Sequence, residues 1–147
     1  MDGLKSLLQE NDTVALDTNC LIYYFESDYM AEKLIPLFEA IEDGFVNGLT
    51  SVLTITEILV KPMALGLDEI CDEYVALLST YPNLSIIPFN LDIAIRTAAV
   101  RAGYKIKTPD AIQVATAIEG GASLFFTNDL NLPETIGKLK VVLLSEI

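Results

Sequence analysis

Histidine is absent from the 147-residue chain. That excludes a Ser-His-Asp or Cys-His nucleophilic centre, a histidine general base and the usual mixed His/Cys zinc sites. Hydrolytic chemistry would fall to carboxylates with bound metal, or to hydroxyls and amides in an unusual arrangement. Cysteine is nearly as scarce. Cys20 and Cys71 stand far apart, in CLIYYF and LDEICDEYVALL, too few for a disulfide framework, and both read as small buried or half-buried thiols. No run reaches the roughly 18–20 continuous apolar residues that cross a bilayer, because Asp, Glu, Thr or Asn breaks each long stretch. The opening MDGLKSLLQENDT carries acidic and amide residues where a secretion signal needs a basic start and a longer apolar core. A soluble cytoplasmic protein without a membrane segment is expected. A Gly-rich loop ending in Gly-Lys-Ser/Thr is also missing, which removes P-loop nucleotide hydrolysis.

Hydrophobic residues make up 52% of the chain, enough to cover a sheet on both faces. The length suits one domain, residues 1–147, and no repeat or low-complexity linker divides it. Charge is lopsided: 21 acidic against 9 basic residues give a net charge of −12, which repels a nucleic acid at long range. Arg96, Arg101, Lys105 and Lys107 run against that trend, crowding together just before Asp110. They form either a basic lip on which a phosphate backbone could rest or ordinary surface charge.

Short β-rich runs alternate with helical periods, the pattern of a parallel α/β sheet. The strands expected are VALD, FVNGL, LSIIPF, SLFFTND and KVVLL. A helix should begin at NCLIYYF. AEKLIPLFEAIEDG has helical spacing and a stop at Gly44; Thr50 or Ser51 should cap a helix running to Pro62; GLDEICDEYVALLSTY is amphipathic; NLDIAIRTAAVRAG should end at Gly103. In TPDAIQVATAIEGG, Thr108 is the expected N-cap, Pro109 suits the first helical position, Asp110 falls in the first turn, and Gly120-Gly121 ends the element.

Three acids then take notable places. Asp17 ends a strand, where open α/β sheets bind ligands; Asp110 opens a helix; Asp129 follows another strand. Glu57 is a fourth, inside a mostly apolar helix where an unpaired buried charge would be costly. Each has a plainer reading alone. A first-turn acid stabilises the helix dipole by roughly 0.3–1 kcal/mol, Asp129 can form a turn in TNDLN, Asp17 can cap the next helix, and Glu57 can face solvent. Together they carry more, because clustered like charges need protons or cations to offset their repulsion. Oxygen donors without histidine or paired cysteine suit Mg²⁺ or Mn²⁺ better than zinc.

LDTNCLIYYFE, TEILVKP, TPDAIQVATAI and FFTNDLNL, taken in order, resemble a PIN-domain ribonuclease, in particular the small VapC-like toxins of toxin–antitoxin pairs. The likeness spans residues 14 to 144; the Glu of TEI is weak alone, PDAIQVATA with the TND strand end is fairly specific, and the ordered set is strong. It implies a three-layer α/β/α fold with a mainly parallel five-stranded sheet in the order 3-2-1-4-5. It also implies a metal-dependent endoribonuclease, homodimerisation and inhibition by a partner antitoxin. Residue by residue, Asp17, Glu57, Asp110 and Asp129 match the family's acidic positions, Thr127 matches the hydroxyl that braces the site near the last acid, and Asn19 matches the amide of LDTN.

The expected chemistry is hydrolysis of an RNA phosphodiester. Asp17, Asp110 and Asp129 would hold Mg²⁺ or Mn²⁺ directly or through water, and Glu57 would hold or orient water for that ion or a second one. The apolar CLIYYF segment could serve a homodimer contact or an internal core equally well. Two other functions remain open at this stage: a protein-binding module with a silent acidic pocket, and a metal-dependent phosphatase for small phosphates.

Overall fold

The computed structural model describes residues 2–27 and 29–147. Strand β1 (Thr13–Leu16) runs through the middle of the sheet, and its register explains why. Val14, Ala15 and Leu16 pair in parallel with Leu124, Phe125 and Phe126 of β4 (Leu124–Thr127), while Thr13, Val14 and Ala15 pair with Asn47, Gly48 and Leu49 of β2 (Asn47–Ser51). β3 (Leu84–Ile87) lies in parallel outside β2, and β6 (Leu139–Leu143) outside β4. A two-residue strand β5 (Thr135–Ile136) pairs antiparallel with β6 at the edge, giving the order β3-β2-β1-β4-β6-β5.

The five strands expected from the sequence are all present, in the order expected of them. β5 is the addition: Gly137, at φ +62°, folds the chain back on itself just before β6. Two residues leave no periodicity to read, so this hairpin was invisible in the sequence.

Side chains alternate between two cores, as the pleat requires. Val14, Leu16, Leu124, Phe126 and Val142 face a core shared with α1 (Asp2–Gln9), α2 (Thr18–Phe25), α3 (Ala31–Glu42), α4 (Leu53–Ala64) and α5 (Asp68–Thr80). Ala15, Leu49, Phe125 and Val141 face the other way, toward α6 (Leu91–Tyr104) and α7 (Thr108–Glu119). The result is the expected three-layer α/β/α arrangement. Phe38 is fully buried at the centre of the first core, stacked on Tyr24 with ring centroids 3.9 Å apart. On the other face Ala111, Ala115 and Ala117 are fully buried, and small side chains of this kind let α7 lie close to the sheet.

Several boundaries differ from the sequence reading. α1 was not anticipated; Leu4 and Leu8 are buried in it, a short stripe at i, i+4. α6 runs past Gly103 to Tyr104 and is capped by Lys105, which adopts the left-handed conformation (φ 56°) usually left to glycine. Lys107, not Thr108, occupies the N-cap of α7, and no side chain caps it there. β2 extends through Ser51, so α4 starts at Leu53, although the Ser51 hydroxyl still accepts the Leu53 amide at 3.0 Å. Pro62 sits inside α4 rather than ending it, and Gly44 follows α3 at φ +78°, as a helix stop should. Cys20 and Cys71 are buried free thiols. Among the described residues no helix is long and apolar enough to cross a membrane.

Candidate active site

Asp17 continues β1 by one residue and opens α2. Its amide donates to Phe126 O at 2.9 Å, extending the ladder to β4, while its own side chain turns to cap the helix: Oδ1 accepts from Thr18 N at 2.9 Å. The other carboxylate oxygen accepts from the Thr127 hydroxyl at 2.7 Å and from Asn19 Nδ2 at 3.4 Å. The helix-cap reading of Asp17 therefore holds, and its second oxygen is fixed by Thr127 and Asn19. Thr127, wholly buried at the end of β4, also receives the Asp129 amide at 3.1 Å, tying the strand-end acid to the brace. Asp129 Oδ1 in turn accepts from Asn131 N at 2.9 Å, the turn expected in TNDLN.

Burial governs the electrostatics. Asp17 is only 6% exposed, and loss of water pushes its carboxyl from the ordinary 3.8 up to about 6. The Thr127 and Thr18 hydrogen bonds pull it down, and the charges of Asp110 and Glu57 push it up further. Asp110, half-buried in the first turn of α7, is likewise raised by burial first, then by Asp129 and Glu57, against a lowering by Lys107. The repulsion thus links all four acids, drawn from the ends of β1 and β4 and from α4 and α7. Lys107 is the cation that offsets this repulsion at Asp110, and among the described residues none of the four carboxylates forms an ion pair. Concentrating negative charge beside a buried carboxylate is unfavourable unless something cationic arrives.

Beneath the acids lies a buried polar ladder that the sequence reading missed. Thr18 Oγ1 donates to Glu57 Oε1 at 2.6 Å; Gln113 Nε2 lies 3.1 Å from Thr18 Oγ1 and 2.9 Å from Thr54 Oγ1; Thr54 Oγ1 is 2.7 Å from Thr50 Oγ1, which donates to Leu16 O at 2.8 Å. A signal existed. Thr54 stands three residues before Glu57 and Gln113 three after Asp110, one helical turn away on the same face in segments otherwise apolar.

The four basic residues separate. Lys107 lies beside Asp110. Arg101 donates from Nε to Ile106 O at 3.1 Å and so stiffens the turn leading into α7, while Lys105 forms the left-handed cap between the two helices. Arg96 pairs with Glu119 at 2.9 Å, at the opposite end of α7 from Asp110. Nine residues of helix put that pair roughly 13 Å from the acids.

The donor set suits a hard divalent cation: the four acids offer carboxylate oxygens alone, and Asp17 and Asp110 are partly dehydrated. Among the described residues no three such side chains are placed together to ligate an ion.

Residues 14–138, most of the chain, match the family model described as PIN domain. The chain belongs to the PIN domain family. Among solved structures, this PIN domain is similar to a toxin-antitoxin complex from Klebsiella pneumoniae, at 27% identity and a TM-score of 0.66 over 91% of this chain and 99% of that one. VapBC2 from Rickettsia felis, solved with a promoter DNA fragment, aligns at 16% identity and a TM-score of 0.71 over 89% of this chain and 98% of that chain. FitAcB from Neisseria gonorrhoeae aligns at 19% and 0.63 over 91% and 99%. The last two likenesses speak to the fold alone. No curated protein matches the sequence.

Proposed function

We propose that this PIN domain is a metal-dependent endoribonuclease acting as the toxin of a toxin–antitoxin pair, with Mg²⁺ or Mn²⁺ as its cofactor. The reading rests on one observation above the others: Asp17, Glu57, Asp110 and Asp129 repel one another around a buried carboxylate, with Lys107 the cation beside them. Its biological half rests on likeness to the toxin-antitoxin complex from Klebsiella pneumoniae. An antitoxin, a second copy of the chain and a cytoplasmic setting belong to the same reading.

Asp17, Asp110 and Asp129 would hold the ion, directly or through water. A divalent ion there supplies Lewis acidity, lowering the pKa of water and withdrawing charge from phosphoryl oxygens. The protein's own contributions are distinct. Thr127, Thr18 and Asn19 aim the Asp17 carboxylate; Glu57 orients the attacking water and accepts its proton; Lys107, with Lys105 and Arg101 behind it, seats the phosphate backbone without reading bases. Arg96, held by Glu119, contributes least. In-line attack by water at phosphorus leaves a 5′-phosphate and a 3′-hydroxyl.

Purified wild-type and Asp17→Asn proteins, both checked for folding, are incubated with a pool of structured RNAs in Mg²⁺, Mn²⁺ or EDTA. Cleavage should need metal and fall severely in the variant. A folded Asp17→Asn protein that cuts at the wild-type rate in Mn²⁺ would remove the site assignment, and a 2′,3′-cyclic phosphate as primary product would remove water as nucleophile.

A further inference from the structure

We infer that Gln113 is a positioning residue, which holds the Glu57 carboxylate in place through the hydroxyl of Thr18. The inference rests on the nuclease reading of Glu57 and concerns a side chain that never touches substrate.

The argument is a count of protons. Thr50 donates its only hydroxyl proton to Leu16 O, so in the 2.7 Å contact between Thr50 and Thr54 the donor must be Thr54. Thr18 likewise has one hydroxyl proton, and a carboxylate only accepts, so that proton goes to Glu57 at 2.6 Å. Thr18 and Thr54, 3.0 Å apart, then have no proton left to share. Two hydroxyl oxygens this close inside a protein need a donor from elsewhere.

Gln113 supplies it to both. Its side chain is 2% exposed, and its Nε2 lies within hydrogen-bond reach of each oxygen, one N–H for each. Its orientation is also determined. Oε1 accepts the Ser51 backbone amide at 3.3 Å, and a reversed amide would set N–H against N–H there. Every proton therefore runs one way: from Gln113 through Thr54 and Thr50 to the β1 carbonyl, and from Gln113 through Thr18 to Glu57. One amide on α7, the helix that carries Asp110, thereby aligns the acid on α4 with the strand-end acid Asp17. Without it, Thr18 could turn its proton to Thr54, and Glu57 would lose the contact that aims it.

Gln113→Leu and the isosteric Gln113→Glu, which keeps the shape but not the two donors, are compared with wild type for single-turnover cleavage of RNA. Both should lose about 10–100-fold, the usual cost of removing a group that orients a metal-site ligand. Placed on Glu57→Ala, Gln113→Leu should cost nothing further in rate while lowering Tm as much as it does in wild type. Equal rate losses in both backgrounds, or none in wild type, would overturn the inference. Should the Gln113 variants fail to fold, Thr18→Val against Thr18→Ser asks the same question, with serine expected to retain activity. A second readout needs no activity: in the metal-free protein the Gln113 side-chain amide protons should shift on Thr18→Val and on Glu57→Ala. Unmoved resonances refute the relay. A wild type that cuts no RNA but shows these shifts would refute the nuclease reading and leave the relay standing.

Discussion

Asp17→Asn should stabilise the metal-free protein increasingly as pH rises, although it removes a hydrogen-bonded side chain. Burial holds the Asp17 carboxyl at about 6 against 3.8 when solvated, so the folded state binds its proton more tightly than the unfolded state does. The resulting stability is fully present below about pH 4 and is lost as pH rises through about 6. At roughly 1.4 kcal/mol per pH unit, ionised Asp17 costs the fold about 3 kcal/mol at neutral pH. Asparagine escapes that cost but has its own: Thr18 N–H and the Thr127 hydroxyl both donate to Asp17, and an NH₂ group facing either one costs about 1–3 kcal/mol at any pH. The informative quantity is thus the difference between variant and wild type as a function of pH. For a chain of this length, Tm of the variant relative to wild type should climb by roughly 6–12 °C between pH 4 and pH 8. Thermal melts and urea titrations in EDTA measure it. Millimolar Mg²⁺ should close the gap at pH 8 by stabilising wild type alone. Parallel pH profiles for the two proteins would refute the assignment of Asp17 as the buried, cation-demanding charge.

Thr127→Val should destabilise the fold by about 1–3 kcal/mol in urea denaturation, because it strips a partner from both Asp17 and the Asp129 amide. It should also move the Asp17 titration above 6, visible by carboxyl NMR, since the lost bond is one that lowers it. Lys107→Ala should weaken RNA binding and reduce its salt slope by about one, whereas Arg96→Ala should leave both nearly unchanged, as measured by fluorescence anisotropy at several salt concentrations. Gly120→Ala should lower the urea midpoint by about 1–3 kcal/mol of stability, since an added Cβ would lie 2.6 Å from Leu49 Cδ2 and 3.0 Å from Thr116 O. An unchanged midpoint there would mean that the Leu49 side chain turns aside, or α7 shifts off β2, at no cost.

Most of the architecture was legible because its signals are local. The short β-rich apolar runs VAL and LFF, Pro109 with Asp110 at the start of α7 and Gly44 after α3 each report the conformation of their own neighbourhood. What failed was local as well. β5 has two residues, α1 shows two buried positions among its described side chains, and Lys105 takes a conformation no propensity would assign to lysine. The acids were singled out by type and place, aided by family likeness. Thr127 and Asn19 were singled out the same way, but Thr50, Thr54 and Gln113 were not, since the spacing of Thr54 from Glu57 and of Gln113 from Asp110 gains meaning only once those two helices are seen to meet.

The sequence by itself determined the chemistry on offer. Without histidine, and with carboxylates at strand and helix ends, the site had to be built from oxygen donors, and the β-α alternation placed those ends on one side of a parallel sheet. Which groups meet, and in what state, only the tertiary structure decided. Burial raised Asp17 while leaving Asp110 half in solvent, α7 brought Lys107 to the acids and carried Arg96 away to Glu119, and packing left one glutamine amide as the donor for two crowded hydroxyls. Desolvation, distance and the supply of protons depend on neighbours from remote parts of the chain, and no stretch of sequence contains them.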